Sequence, residues 1–127
     1  MKSTSVRSRA AFTLVEIMIV VAIIGLLAAL SIPSFVKARK QSQGRRIVQD
    51  ARQMDGAVDQ WALEMGKKDG DTIDTNACSV YLKPNSWDPN DVLRNPWTVN
   101  TVGPTQILIS TTTKTALSGV GIDWGAY

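Results

Sequence analysis

Residues 17–36, IMIVVAIIGLLAALSIPSFV, are twenty consecutive uncharged residues in a chain of 127. At 1.5 Å of rise per residue, a helix of that length spans about 30 Å, the thickness of a bilayer's hydrocarbon core. Apolar residues surround this helix instead of forming a stripe, so it is a lipid-embedded segment and not a surface helix. The alternative is a helix buried in a soluble domain, and so short a chain cannot readily enclose one on all sides. A cleavable secretory signal has an apolar region of roughly 7–15 residues before a small-x-small cut site. Ala29-Leu30-Ser31 could supply such a site, but the run is too long and Glu16 near its start is out of character.

Glu16 is the only charge from Phe12 to Val36. A carboxylate in an apolar helix costs up to about 2.5–3.5 kcal/mol at the bilayer centre and less near the interface. It either stays wet at headgroup level or meets a positive charge from another chain. Gly25 and Pro33 interrupt the run. Proline removes an N–H and frees the carbonyl four residues earlier, that of Ala29, so a bend is expected at Pro33.

Composition removes several chemistries. With no histidine and one cysteine, Cys78, the chain cannot build a Ser-His-Asp or Cys-His nucleophile system, a His/Cys zinc site or an internal disulfide. No grouping of nucleophile, base and orienting residue is visible, so an enzyme is not expected, nor is a cofactor. Asp123 is the only acid in the last 36 residues, far short of a calcium shell of 6–8 oxygens, so no metal is expected there.

The net charge of +3 comes from Lys2, Arg7 and Arg9 in residues 1–11, and the rest of the chain balances. That argues against nucleic acid as a partner of the whole chain. Residues 37–52 carry Lys37, Arg39, Lys40, Arg45, Arg46 and Arg52 against Asp50, whereas residues 53–127 carry five basic and nine acidic residues. The basic group reads as a solvated face just outside the membrane; anionic headgroups or DNA are what it could otherwise hold. Basic residues flank the apolar run on both sides, so charge counting leaves its orientation ambiguous or inverted.

Beyond Lys37 the pattern becomes amphipathic. Ile47, Ala51, Met54, Val58, Trp61 and Met65 are spaced 4, 3, 4, 3 and 4, one face of a helix that Gly66 stops. One helix is therefore expected from near Thr13 to Met65. The remainder, 67–127, is expected to hold a short helix from Ala77 to Lys83 ended by Pro84. Two strands follow, Trp97–Val102 and Thr105–Ser110, with Gly103-Pro104 as the hairpin turn. The tail from Leu117 to Tyr127 is expected to pack on that sheet, with Trp61, Trp87, Trp97 and Trp124 supplying much of a small core. Cys78 reads as a small buried residue. The fold class is α+β: a long N-terminal helix, half transmembrane and half amphipathic, on a small head with a short antiparallel sheet.

The stretch Arg9-Ala10-Ala11-Phe12-Thr13-Leu14-Val15-Glu16, running directly into the apolar segment, resembles the start of a type IV prepilin or type II secretion pseudopilin, with its class III signal peptide. The resemblance covers residues 7–36. It implies a pilin-like fold and a prepilin peptidase/methyltransferase that cuts between Ala11 and Phe12 and methylates the new Phe12 amine. It further implies single-pass anchoring in a bacterial inner membrane, with the head in the periplasm. An inner-membrane assembly platform would then build the chain, with other pilins or pseudopilins, into a homo- or hetero-oligomeric filament. Glu16 corresponds to the family's assembly glutamate, and Pro33 to the place where family helices commonly bend. One departure is Ala11, where the family usually has glycine.

The division that follows is a cleaved leader 1–11, a transmembrane and filament-core helix 12–36, a stem helix 37–66 and a periplasmic head 67–127. The leading function is a structural filament subunit of a type IV pilus or type II secretion pseudopilus. The alternatives are a minor tip pilin that binds DNA or a surface, and an anchored membrane protein that never polymerises.

Overall fold

The computed structural model describes residues 11–83 and 85–127. Residues 1–10 of the expected leader 1–11, and the helix stop expected at Pro84, lie outside the described residues. The chain divides into two units, one ending at Val36 and one comprising Lys37–Tyr127.

Helix α1 runs from Leu14 to Met65 and carries Pro33 inside it. In the first unit every residue from Ala11 to Val36 is exposed. In the second unit α1 is amphipathic. Gly44, Ile47, Val48, Ala51, Met54, Ala57, Val58, Trp61 and Ala62 are buried along one face. Met65, expected to end this stripe, is 59% exposed. The chain leaves the helix too soon for Met65 to reach the core. Gly66 takes φ +62, the Lys67 N–H bonds the Ala62 carbonyl at 2.8 Å, and the Gly66 N–H bonds that of Leu63 at 3.4 Å. That pair of bonds is the Schellman ending, which satisfies the last carbonyls as the chain reverses. Lys67 then lays its ammonium 5.5 Å from the Trp61 ring centroid, covering the end of the stripe.

Short elements close over this face. The turn after Gly66 is joined to Val102 by backbone bonds from Gly70 N–H and to Asp71 O, each 2.9 Å. Asp74 accepts from the N–H groups of Asn76 and Ala77 and so caps α2, Thr75–Cys78, which passes into a 3-10 turn at Ser79–Tyr81. The helical segment therefore begins two residues before the expected Ala77, where a capping carboxylate is available. Strands β1, Thr98–Val99, and β2, Ile107–Leu108, pair antiparallel with Thr98 opposite Leu108 and Val99 opposite Ile107. They lie within the expected hairpin but are shorter.

Helix α3, Thr111–Ala116, was not expected, because three threonines in its first turn favour extended backbone. Tertiary burial overrides that preference. Ser110 caps α3 through the Thr112 N–H, and Thr113 is wholly buried. The tail also departs from expectation. Its hydrogen bonds to other elements go to α1 and α3, not to the hairpin: Gln41 Nε2 donates to Val120 O at 2.9 Å, Lys114 Nζ donates to Tyr127 O, and the Tyr127 hydroxyl faces Asp55 at 3.4 Å. Ile122 fills the notch at Gly44, where an added Cβ would come within 2.0 Å of its Cδ1.

The core joins the α1 face to Ile73, Cys78, Leu82, Trp97, Val102, Ile107, Ile109 and Leu117. Trp61 and Trp97 are buried in it, while Trp87 and Trp124 are partly buried against it. Trp61→Ala should cost about 3–5 kcal/mol, the usual range for a large core aromatic. Met65→Ala should cost less than about 0.5 kcal/mol, as for an exposed position. Denaturant unfolding of the full chain in detergent, followed by far-UV circular dichroism, checks both.

Candidate functional site

The N-terminal end of α1 is where the sequence places chemistry. Residues 11–13 are non-helical and Leu14 is the first helical residue, with the Ile17 N–H bonded to Thr13 O at 3.4 Å. Thr13 is therefore the N-cap and Glu16 the third helical residue. Their side chains bond reciprocally: the Thr13 N–H donates to Glu16 Oε2 at 2.9 Å, and the Glu16 N–H donates to Thr13 Oγ1 at 3.2 Å. This is a capping box, which satisfies two backbone donors that the helix itself leaves unpaired. The negative carboxylate also sits at the positive end of the helix dipole.

The sequence reading found Glu16 but missed this role. The signal was present, since Thr13-Leu14-Val15-Glu16 fits the Thr-x-x-Glu pattern ahead of an apolar run. Ala11 and Phe12, the expected cleavage pair, lie just outside the helix, and Phe12 is 83% exposed. Their peptide bond is therefore free of helical hydrogen bonding. Glu16 is exposed as well, so its carboxylate can meet another group besides the Thr13 amide.

Further along, the apolar segment presents its side chains outward on all sides and is long and apolar enough to cross a membrane. Pro33 sits inside α1, which remains helical on both sides of it. Two residues earlier, Ser31 Oγ donates to Leu27 O at 2.9 Å, the back-bonding by which serine commonly bends a helix.

In the head, sequence reading missed the residue that organises the loop before β1. Asp91 is buried and accepts from the N–H groups of Leu93 at 2.8 Å and Asn95 at 3.0 Å, and from the Thr113 hydroxyl. Asn95 Nδ2 donates to the same Thr113 oxygen at 2.9 Å. A carboxylate held by three donors thus ties this loop to α3 without a covalent link. Among the described residues no three His, Cys, Asp or Glu side chains are grouped to hold a metal. Cys78 is fully buried, and burial, with a lesser contribution from Asp74, pushes its thiol up to about 11. It is consequently protonated at neutral pH and a poor nucleophile.

Residues 6–32 match the family model for the prokaryotic N-terminal methylation motif. The type IV major fimbrial protein FimA of Dichelobacter nodosus is 45% identical over 60 residues, 47% of this chain and 38% of that protein. The start of the chain carries the prepilin-type methylation motif and is homologous to the corresponding part of type IV pilins and type II secretion pseudopilins. Type II secretion system core protein G of Klebsiella pneumoniae is 36% identical over 53 residues, 42% of this chain and 38% of that protein. The corresponding protein of Vibrio cholerae is 27% identical over 85 residues, 67% of this chain and 57% of its own length. The matched stretch thus spans about two-fifths of the length of the first of these relatives. No solved structure matches this chain. Pilins and pseudopilins are structural proteins, not enzymes.

Thr13→Val should remove one arm of the capping box and cost the first turn about 1 kcal/mol, or fivefold in local opening. Hydrogen exchange of the Glu16 amide, measured in micelles, should accelerate by about that factor while amides beyond Ile24 stay unchanged.

Proposed function

We propose that the chain is a structural subunit of a type IV pilus or type II secretion pseudopilus. In this reading residues 12–36 first anchor it in the inner membrane with the head, 67–127, in the periplasm. A prepilin peptidase removes residues 1–11 by cutting between Ala11 and Phe12, and methylates the Phe12 amine. The apolar segment then leaves lipid for the core of a filament of pilins or pseudopilins raised by an inner-membrane platform. Pro33 gives α1 a place to bend as it packs.

The observation that carries the proposal is the pairing of the methylation motif with an apolar helix surface that is exposed among the described residues. Lipid and neighbouring copies are the two environments that accept such a surface without loss of solubility. Cleavage adds the remaining element. It turns a neutral peptide bond at Phe12 into an ammonium, beside a neighbour's Glu16 in low dielectric, where their attraction is strong. The pair relieves the burial of each charge and fixes the axial register between copies. Glu16 can hold the Thr13 amide and an ammonium together, since a carboxylate has about four acceptor positions.

Glu16→Ala should leave insertion and cleavage intact and drop the sheared filament yield at least about tenfold, because the buried ammonium loses its partner. Glu16→Asp should be intermediate, keeping the charge with a shorter reach. Thr13→Val separates capping from pairing: it weakens the cap but keeps the carboxylate, so its filament yield should stay near wild type. Immunoblots of sheared and membrane fractions read all three. Wild-type yield from Glu16→Ala would reject the pairing.

A further inference from the structure

The first basic residues after the apolar segment are not used by the function proposed above, and their placement is specific. Lys37, Arg39 and Lys40 fall within four residues of Val36, the last residue of the uncharged run. Lys37 and Arg39 are exposed and Lys40 is half-buried. Among the described residues none of the three forms an ion pair. No acid is close to them on α1 either: none stands between Glu16 and Asp50, and Asp50 pairs with Arg46 at 3.8 Å. Asp123 of the tail accepts the Gly125 N–H of its own turn at 3.0 Å. The head begins directly beyond these cations. Its first hydrogen bond to α1 among the described residues is at Gln41, whose Nε2 donates to Val120 O at 2.9 Å, and Ile122 fills the notch at Gly44. Lys37 to Lys40 thus form a basic collar between the apolar run and the first tie to the head.

We propose that this collar binds the phosphates of anionic lipid headgroups. Depth selects that partner. The headgroup region adds about 5–7 Å on each side of the hydrocarbon core. At 1.5 Å of rise per residue, Lys37, Arg39 and Lys40 stand about 1.5, 4.5 and 6 Å beyond Val36, within that layer. Arg45 and Arg52 stand about 13.5 and 24 Å beyond Val36, outside it. Ammonium and guanidinium groups donate charge-assisted hydrogen bonds to phosphate oxygens, and their long stems let the charged ends settle at phosphate depth. Lys37 and Lys40 share one face of the helix and Arg39 lies on another, so the collar meets lipids around α1. The proposal rests on the subunit reading, which puts the head in the periplasm. Beside a span on that side of a membrane basic residues are normally sparse, so charge placed there is not a topology signal. When the apolar segment leaves lipid for a filament the collar must release its phosphates, so it holds back the unassembled subunit.

The test is native mass spectrometry of the full chain in detergent micelles containing equal phosphatidylglycerol and phosphatidylcholine. Phosphatidylglycerol should be retained in preference to phosphatidylcholine. Lys37→Gln and Arg39→Gln should each weaken that retention about fivefold. Lys37→Arg, which keeps the charge at the same depth, should retain the lipid as the wild type does. Arg52→Gln removes one positive charge outside the layer and should leave retention unchanged, since attraction to an anionic surface falls off within a Debye length. Equal retention of the two lipids would overturn the proposal. An Arg52→Gln loss as large as that of Lys37→Gln would also overturn it, since net charge and not depth would then govern. So would a Lys37→Arg loss equal to that of Lys37→Gln, which would mark a structural effect of the position. Displacement of the lipid by millimolar inorganic phosphate would overturn it in favour of a free-anion site. Filament yield is scored separately: absent lipid selectivity with normal filaments overturns this inference alone, and absent filaments with normal selectivity overturn the subunit reading alone.

Discussion

Sixteen large apolar side chains between Phe12 and Val36 are each at least 47% exposed. Fully burying one such side chain is worth about 1.5–3 kcal/mol, so even half of that, summed, is tens of kcal/mol at the upper end. The net stability of a small domain is about 5–15 kcal/mol. The demand of this surface for an apolar environment therefore outweighs what the head could supply by refolding around it. The second unit has in any case committed its own apolar residues: the α1 face from Ile47 to Ala62 shares one core with Ile73, Cys78, Leu82, Trp97, Val102, Ile107, Ile109 and Leu117. The same helix thus meets two different requirements along its length, one satisfied within the protein and one left for lipid or for other copies.

A lone carboxylate at the start of that surface would oppose its insertion unless its charge were satisfied. The structure shows how this is managed in a single chain, with Glu16 and Thr13 closing the helix start by mutual hydrogen bonds. The arrangement lowers the cost of keeping Glu16 near lipid without using its full acceptor capacity. That leaves room for an ammonium, which under the proposed function arrives only after cleavage. A charge that helps begin the helix in one setting can then fix register in the next.

The parts legible in the sequence were those governed by periodicity or by glycine and proline. The apolar run, the stripe through Trp61, the stop at Gly66 and the turn at Gly103 follow from local pattern. The resemblance to prepilins rested on Arg9 through Glu16 and the run after them, where the methylation motif matches. What escaped was set by contacts distant in sequence. The threonines of α3 carry no helical signal; Thr113 is helical because its hydroxyl reaches Asp91, 22 residues earlier. Likewise the tail lies along α1 because Gly44 leaves a notch for Ile122, a pairing across 78 residues that no local pattern announces. Met65 continued the spacing but not the burial, because the Schellman ending turned the chain away first. The capping box, by contrast, is a local pattern: Thr13-Leu14-Val15-Glu16 ahead of an apolar run carries its signal in full.

The central claim is that the chain is a processed filament subunit whose mature end is Phe12. Intact-mass analysis of the protein in sheared filaments, with sequencing of its N-terminus, tests this most directly. The account predicts a single species that has lost residues 1–11 and gained one methyl group on the Phe12 amine. A filament or membrane species that begins at Met1 in cells with an active prepilin peptidase, or one that begins at Ile32 as a secretory cut after Ser31 would leave it, would contradict the account.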